Sequence, residues 1–271
     1  MGEDDSPDHR EQNALARYDF SAPRLFVEGD LAPGGPVPLS KDQTHYLTHV
    51  LRLGNNDPVL AFNGRDGEWR CRVEGRKAAT ALVAEARTRE QSPAATLHLC
   101  FAPLKHARLD YMVQKAVEMG AGVLRPVITR RTQAARINED RMRANAVEAA
   151  EQCGILSVPE VWAPVRLDAL LAGWEPDRLM VFCDEDAEVA DPLQALRGAP
   201  RGAAAVIIGP EGGFEEGERA ALLALPRRLR LSLGPRILRA DTAAVAALAL
   251  VGAVLGDIGR GDAGEDDPAV A

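Results

Sequence analysis

At 271 residues the chain can bury a sizeable core and is expected to fold as one large or two modest domains. Its longest apolar run, Ala243 to Gly256, is too short to span a bilayer and no stretch resembles a signal peptide; the four scattered cysteines, Cys71, Cys100, Cys153 and Cys183, form no CxxC pair. A membrane span, a disulfide framework and a zinc site are thereby excluded, and a soluble cytoplasmic protein with reduced thiols is expected.

The formal charge of −8 argues against a nucleic-acid partner until it is located along the chain. Residues 1–23 hold two basic and six acidic side chains, and residues 257–271 hold one and five, so the two ends account for all of it. Both ends read as disordered acidic tails, and the interior is neutral. From Arg24 the pattern is strand-like: "RLFVEG", then a helical segment "KDQTHYLTHVLRL", then "PVLAFNG", "EWRCRVEGR" and "ATALVAEA" between turn residues. This predicts a small, mainly β domain over 24–91, ending near Ser92-Pro93. His45 and His49 stand i, i+4 on the helical segment, but without an HExxH carboxylate they are read as packing or capping residues, and no metal site is expected.

Over 92–256, strands and helices alternate: "TLHLCFAPL", a helix from His106 to Gly120, "GVLRPVIT", and a helix from Glu139 to Cys153. There follow "RLMVFCDE", "AAAVIIGPEGG", a helix from Glu216 to Leu225, "RLRLSLG", and a last helix from Asp241. Leu109, Met112, Val113, Ala116 and Val117 keep the helical period on one stripe. The alternation predicts an α/β domain with a parallel sheet covered on both faces. Charge segregates here as well. Residues 101–145 hold nine Lys or Arg against four acids, residues 146–225 five against fifteen, and residues 226–241 five arginines against Asp241 alone. The basic segments keep an RNA partner open.

Three strand ends carry the candidate site. "IIGPEGGF" ends an apolar strand in a turn, Gly209, Pro210, Glu211, Gly212 and Gly213, that lacks the GK[ST] ending of a P-loop and does not fit GxGxxG. Glu211, Glu215, Glu216 and Glu218 would repel phosphate from the following helix N-terminus, so a cationic ligand without phosphate fits better, and S-adenosylmethionine is one. "LSLGPRILRADTAAVAAL" repeats the architecture, with Asp241 or Thr242 placed to cap the last helix. Two Gly-Pro turns on neighbouring strands suggest one pocket, into which Arg236 and Arg239 bring charge for an anionic partner. Asp184, Glu185 and Asp186 follow a third strand and join the candidates.

Together these motifs resemble the RsmE family of 16S ribosomal RNA uridine-N3 methyltransferases, of the SPOUT class. "HYLTHVLRLGNND" and "FNGRDGEWRCRV" are similar to its N-terminal PUA-like RNA-binding domain, and "LDYMVQKAVEMGAGVLRPVITRRTQ" and "EAAEQCGILSVPEV" to its catalytic domain. The resemblance implies a SPOUT-type parallel sheet threaded into a trefoil knot over 92–256, and a PUA-like β-barrel domain over 24–91. It also implies action as a homodimer on 16S rRNA of the small ribosomal subunit. The cofactor loops it implies are Asp184-Glu185, Gly209 to Gly213, and Leu233, Gly234, Ile237 and Leu238. Arg24, Arg52, Lys105, Arg131 and Arg236 are the expected RNA contacts. Ile155 stands where the family usually has Arg, and Asp241 where it usually has Glu. Uridine N3 carries a proton at neutral pH, so transfer needs an acceptor for it and a cation near the uracil carbonyls; Arg239 and Arg131 are the expected catalytic cations. The acceptor stays open among Glu211, Asp241 and water. The rival reading is a non-catalytic RNA-binding or ribosome-assembly protein, which would bind RNA without S-adenosylmethionine.

Overall fold

The computed structural model describes residues 22–75, 78–105, 107–133, 137–184, 187 and 191–258. Glu185, Asp186, His106 and most of both acidic tails lie outside the described residues. The chain divides into two compact units, one holding the described residues up to Pro93 together with Ala150–Ser157, the other the remainder.

The first unit is a five-stranded sheet in the order β1-β3-β4-β5-β2. Its strands are β1 (Arg24–Phe26), β2 (Pro36–Pro38), β3 (Pro58–Phe62), β4 (Glu68–Glu74) and β5 (Ala81–Arg89). β1 pairs with β3 in parallel; the other pairs are antiparallel. Among the described residues β1 and β2 end the strand order, and the sheet curls as a PUA-like region does. Alternation explains β4: Trp69, Cys71 and Val73 point into a core with Leu25, Val59, Leu82 and Leu47. Between β2 and β3, Ser40 and Gln43 form a capping box that opens α1 (Lys41–His45), which continues as a π-helical stretch, Tyr46–Val50. The His45 and His49 rings lie 5.0 Å apart in it.

Residues 150–157 belong here through polar ties. Glu151 accepts from the Phe26 N–H at 2.8 Å, the Gly154 carbonyl accepts from Arg89 at 2.9 Å, and Gln91 donates to Ser157 at 3.0 Å. Gly154 takes φ of 66°, the left-handed turn that ends α3 (Glu139–Cys153).

The second unit is an all-parallel sheet in the order β12-β10-β11-β6-β7-β8, with β9 also on β7. Its strands are β6 (His98–Phe101), β7 (Val123–Ile128), β8 (Glu160–Val161), β9 (Val165–Arg166), β10 (Leu179–Cys183), β11 (Ala204–Ile208) and β12 (Arg228–Leu231). The helices besides α3 are α2 (Ala107–Glu118), α4 (Leu167–Ala172), α5 (Pro192–Arg197), α6 (Glu216–Leu223) and α7 (Ala240–Val254). All of β11 is buried, which requires cover on both faces. Ala205 and Ile207 face a core with Leu167, Leu170 and Leu222 of α4 and α6, while α7 packs on β11, α2 and α5. Among the described residues no helix is long and apolar enough to cross a membrane. Burial pushes the Cys71 and Cys100 thiols up to about 12, so both are packing groups.

A candidate cofactor site at the sheet edge

Because every pair in the second sheet is parallel, the ends of β6, β7, β10, β11 and β12 lie along one edge. The two Gly-Pro turns were expected on neighbouring strands; β10 lies between β11 and β12, which separates the turns by two strand spacings, about 10 Å. The three loops still share that edge.

After β11 the chain reaches Gly209, where a Cβ would stand 2.7 Å from the Phe214 ring. Phe214 in turn meets Phe182 edge-on at 5.3 Å, so the turn is seated on the core by an aromatic pair. Pro210 is buried and its carbonyl accepts from the Gly213 N–H at 2.9 Å, with Gly213 at φ of 69°. Glu211 and Gly212 stand exposed between them. The Gly212 carbonyl accepts from the Arg131 guanidinium at 2.7 Å, and Glu211 lies 3.7 Å from Arg108 of α2. Of the expected site residues, Arg131 and Gly212 are brought together directly.

At the head of α6, Glu215 and Glu218 form a reciprocal capping box. The first turn holds Glu216 and Glu218 as well, so negative charge stands where a helix would otherwise attract an anion. A cleft of about 380 Å³ lies alongside, lined by Thr129, Arg130, Leu167, Asp168, Glu215 and Glu218 among others; Gly209–Gly213 do not line it.

After β12, Ser232 accepts from the Gly234 N–H at 3.3 Å and Gly234 takes φ of 95°, with nothing near its missing side chain. Leu233 and Leu238 are half-buried, and Ile237 is 98% exposed. Arg236 and Arg239 are exposed, and neither side chain has a polar partner among the described residues. Neither Asp241 nor Thr242 takes the N-cap of α7. That position is Arg239, and the Asp241 carboxylate accepts from the Thr242 N–H at 2.9 Å inside the first turn.

Asp184 is placed differently from an open pocket acid. Its carboxylate is 4% exposed and held by Arg219 of α6 at 3.0 Å and by Arg230 of β12, while its N–H donates to Leu231. Sequence reasoning missed both arginines; the one signal was the R-L-R-L alternation that sets Arg230 opposite Phe182. Arg24, expected on an RNA surface, is buried with its guanidinium 3.0 Å from Glu68, which Arg89 also holds at 2.6 Å. Burial raises the Glu68 carboxyl, and the hydrogen bond and charge of Arg89, with Arg24 and Thr88, more than offset this and hold it below its ordinary value. Arg52, at φ of 58°, and Lys105 are exposed.

The donor set fits S-adenosylmethionine: a glycine turn exposed at Gly212, open space at Gly234, and acidic groups at the head of α6 that suit a sulfonium and disfavour a phosphate. No cluster of His, Cys, Asp and Glu able to hold a metal ion occurs among the described residues.

Residues 90–252 match a family described as RNA methyltransferase domain, and residues 39–83 one described as RNA methyltransferase PUA domain. Ribosomal RNA small subunit methyltransferase E of Rickettsia conorii is 30% identical over 232 residues, 84% of this chain and 94% of that one. A Neisseria gonorrhoeae protein of the same name, solved bound to S-adenosyl methionine, is 27% identical with a TM-score of 0.75, covering 88% of this chain and 99% of its own. A Legionella pneumophila methyltransferase, solved with the bound cofactor SAM, is 28% identical with a TM-score of 0.74 over 86% and 97% of the two chains.

Proposed function

The chain belongs to the RNA methyltransferase family of the ribosomal RNA small subunit methyltransferases E, and from that premise we propose that it methylates uridine N3 of 16S ribosomal RNA with S-adenosylmethionine. The observation that carries the reading is the sheet edge, where an acidic, phosphate-excluding glycine turn pinned by Arg131 shares one rim with the exposed Arg236 and Arg239. Residues 24–91 act as the PUA-like RNA-binding domain and 92–256 as the methyltransferase domain. Insertion of β11 between β10 and the early strand β6, with α7 returning to α2, supports a trefoil knot in the latter. The half-buried Val245, Ala249 and Leu250 on α7, with Ile237, support a homodimer, and the assembled small subunit is the RNA partner.

Gly209 to Gly213 and Leu233, Gly234, Ile237 and Leu238 hold the cofactor. Asp184 serves by tying the end of β10 to α6 and β12, and Glu185 is assigned on sequence alone. When bound, S-adenosylmethionine supplies the electrophilic methyl group that N3 takes up. The chain's own part is to take the N3 proton and to stabilise the anion left on the uracil carbonyls. Glu211, Asp241 or water accepts the proton. Arg239 stabilises the anion, because its exposed guanidinium offers a planar fork of donors and has no polar partner among the described residues. Arg131 is the second cation at the site. Arg52, Lys105 and Arg236 contact RNA, whereas Arg24 is engaged with Glu68 inside the first unit.

Arg239→Ala should lower single-turnover methylation of small subunits by roughly a hundredfold, the scale of losing one oxyanion donor, with cofactor affinity little changed. Arg239→Lys should recover part of the rate, since a point charge replaces a fork. Loss of cofactor affinity in proportion to rate would move Arg239 into the cofactor pocket instead.

A further inference from the structure

A turn with three glycines in five residues has more backbone freedom to lose on binding than an ordinary loop. What holds Gly209–Gly213 in one shape is therefore part of its affinity. Phe214 seats one end on the core. The exposed middle is held by Arg131, whose side chain is long and solvent-facing. Such a side chain restrains a partner only if its own backbone is fixed.

That backbone is fixed from α6. The Glu218 carboxylate gives its two oxygens to different elements: Oε2 accepts from the Glu215 N–H at 3.0 Å, and Oε1 accepts from the Arg130 N–H at 2.8 Å, 88 residues away in sequence. The turn after β7 is closed from within by Thr129 and Thr132, whose N–H groups donate to the Thr132 hydroxyl at 2.9 Å and the Thr129 carbonyl at 3.2 Å. Arg130 and Arg131 stand at the tip of this closed turn. A charge-assisted bond to the Arg130 amide thus sets where Arg131 begins, and the Arg131 guanidinium sets where the Gly212 carbonyl points.

We propose that Glu218 is a positioning residue of the cofactor site, which by tying the turn after β7 to the head of α6 holds Arg131 on Gly212 and pre-shapes the glycine loop for its ligand. The inference rests on reading Gly209–Gly213 as the cofactor loop. Helix capping alone would need only the bond to Glu215; the bond to Arg130 serves the loop.

The test has an arm that needs no ligand. In the free protein, Glu218→Ala should speed amide hydrogen exchange at Gly213, whose N–H donates to Pro210, about tenfold, and Arg131→Ala should do the same. With S-adenosylmethionine, calorimetry should give about tenfold weaker binding for each. The double variant should be no more than about twofold weaker than either, because both cut one tie. Glu218→Gln keeps an acceptor for Arg130 and should stay within about threefold of the parent, which separates the hydrogen bond from the charge. In methylation assays Glu218→Ala should raise the S-adenosylmethionine KM about tenfold and lower kcat no further than Arg131→Ala does. Unaltered exchange at Gly213, additive losses in the double variant, or Gln and Ala variants equally weak would each overturn the proposal. A parent protein that fails to bind S-adenosylmethionine overturns the functional reading, whereas a binding parent with an equally tight Glu218→Ala variant overturns only this inference.

Discussion

Two of the three glycines in the turn after β11 are required by the protein itself, and the third is not. Gly209 sits where any Cβ would meet the Phe214 ring at 2.7 Å, and Gly213 takes a left-handed backbone at φ of 69°. At Gly212 a Cβ would meet only the Arg131 side chain at 3.5 Å, an ordinary contact, and the φ is not left-handed. Gly212→Val should therefore leave the melting temperature within about 2 °C of the parent while abolishing S-adenosylmethionine binding. Gly209→Val should lower it by several degrees, the scale of overpacking a seated turn. Thermal melting beside calorimetry separates the two. A folded Gly212→Val protein of unchanged affinity would take this turn out of the site. The loop itself was legible, because an apolar run ending in Gly and Pro is a local signal. Which glycine serves structure and which is free for a ligand was not, since that depends on Phe214 and Arg131 in space. Arg24 makes the same point: one arginine opening a strand reads as surface, and its burial against Glu68, 44 residues on, shows it to be interior.

Elements long enough to carry a period were readable, and short ones were not. The amphipathic stripe of α2 and the apolar runs of β10 and β11 stand where the pattern sets them. β8 and β9 have two residues each, and α4 and α5 six, too few to show alternation or a helical face. β2 is bounded by Pro36 and Pro38, residues a strand tolerates only at an edge, which is where it lies. Asp184 shows what element-level reading lacks: one buried carboxylate at the end of β10 holds α6 through Arg219 and β12 through Arg230. Those partners lie 35 and 46 residues away, so no local pattern announces them. Asp184→Ala should destabilise the second unit by about 2 kcal/mol in denaturant unfolding, less than the loss from a fully buried pair because both arginines keep some contact with water. Asp184→Asn should cost less. Full stability in the Ala variant would show that the packing of β10 and β12 suffices without the ion pairs.

At the scale of the whole chain, charge does what composition concealed. The two acidic ends account for the net −8, leaving a neutral interior in which basic and acidic stretches alternate. Proximity in space then gives the charges separate uses. Arg219 and Arg230 are engaged by Asp184 and Arg131 by a loop carbonyl, while Arg236 and Arg239 stand exposed at the sheet edge with no polar partner among the described residues. This division was outside the reach of a residue count, which weighs all arginines alike. The central claim is that this chain is a catalyst that uses S-adenosylmethionine, as opposed to a protein that only binds RNA. The most direct measurement incubates the full chain with small ribosomal subunits lacking the modification and isotopically labelled S-adenosylmethionine, followed by mass spectrometry of the 16S RNA. The account predicts a single labelled N3-methyluridine that forms with the parent protein and roughly a hundredfold more slowly with Arg239→Ala. Tight RNA binding with no label transferred would contradict it.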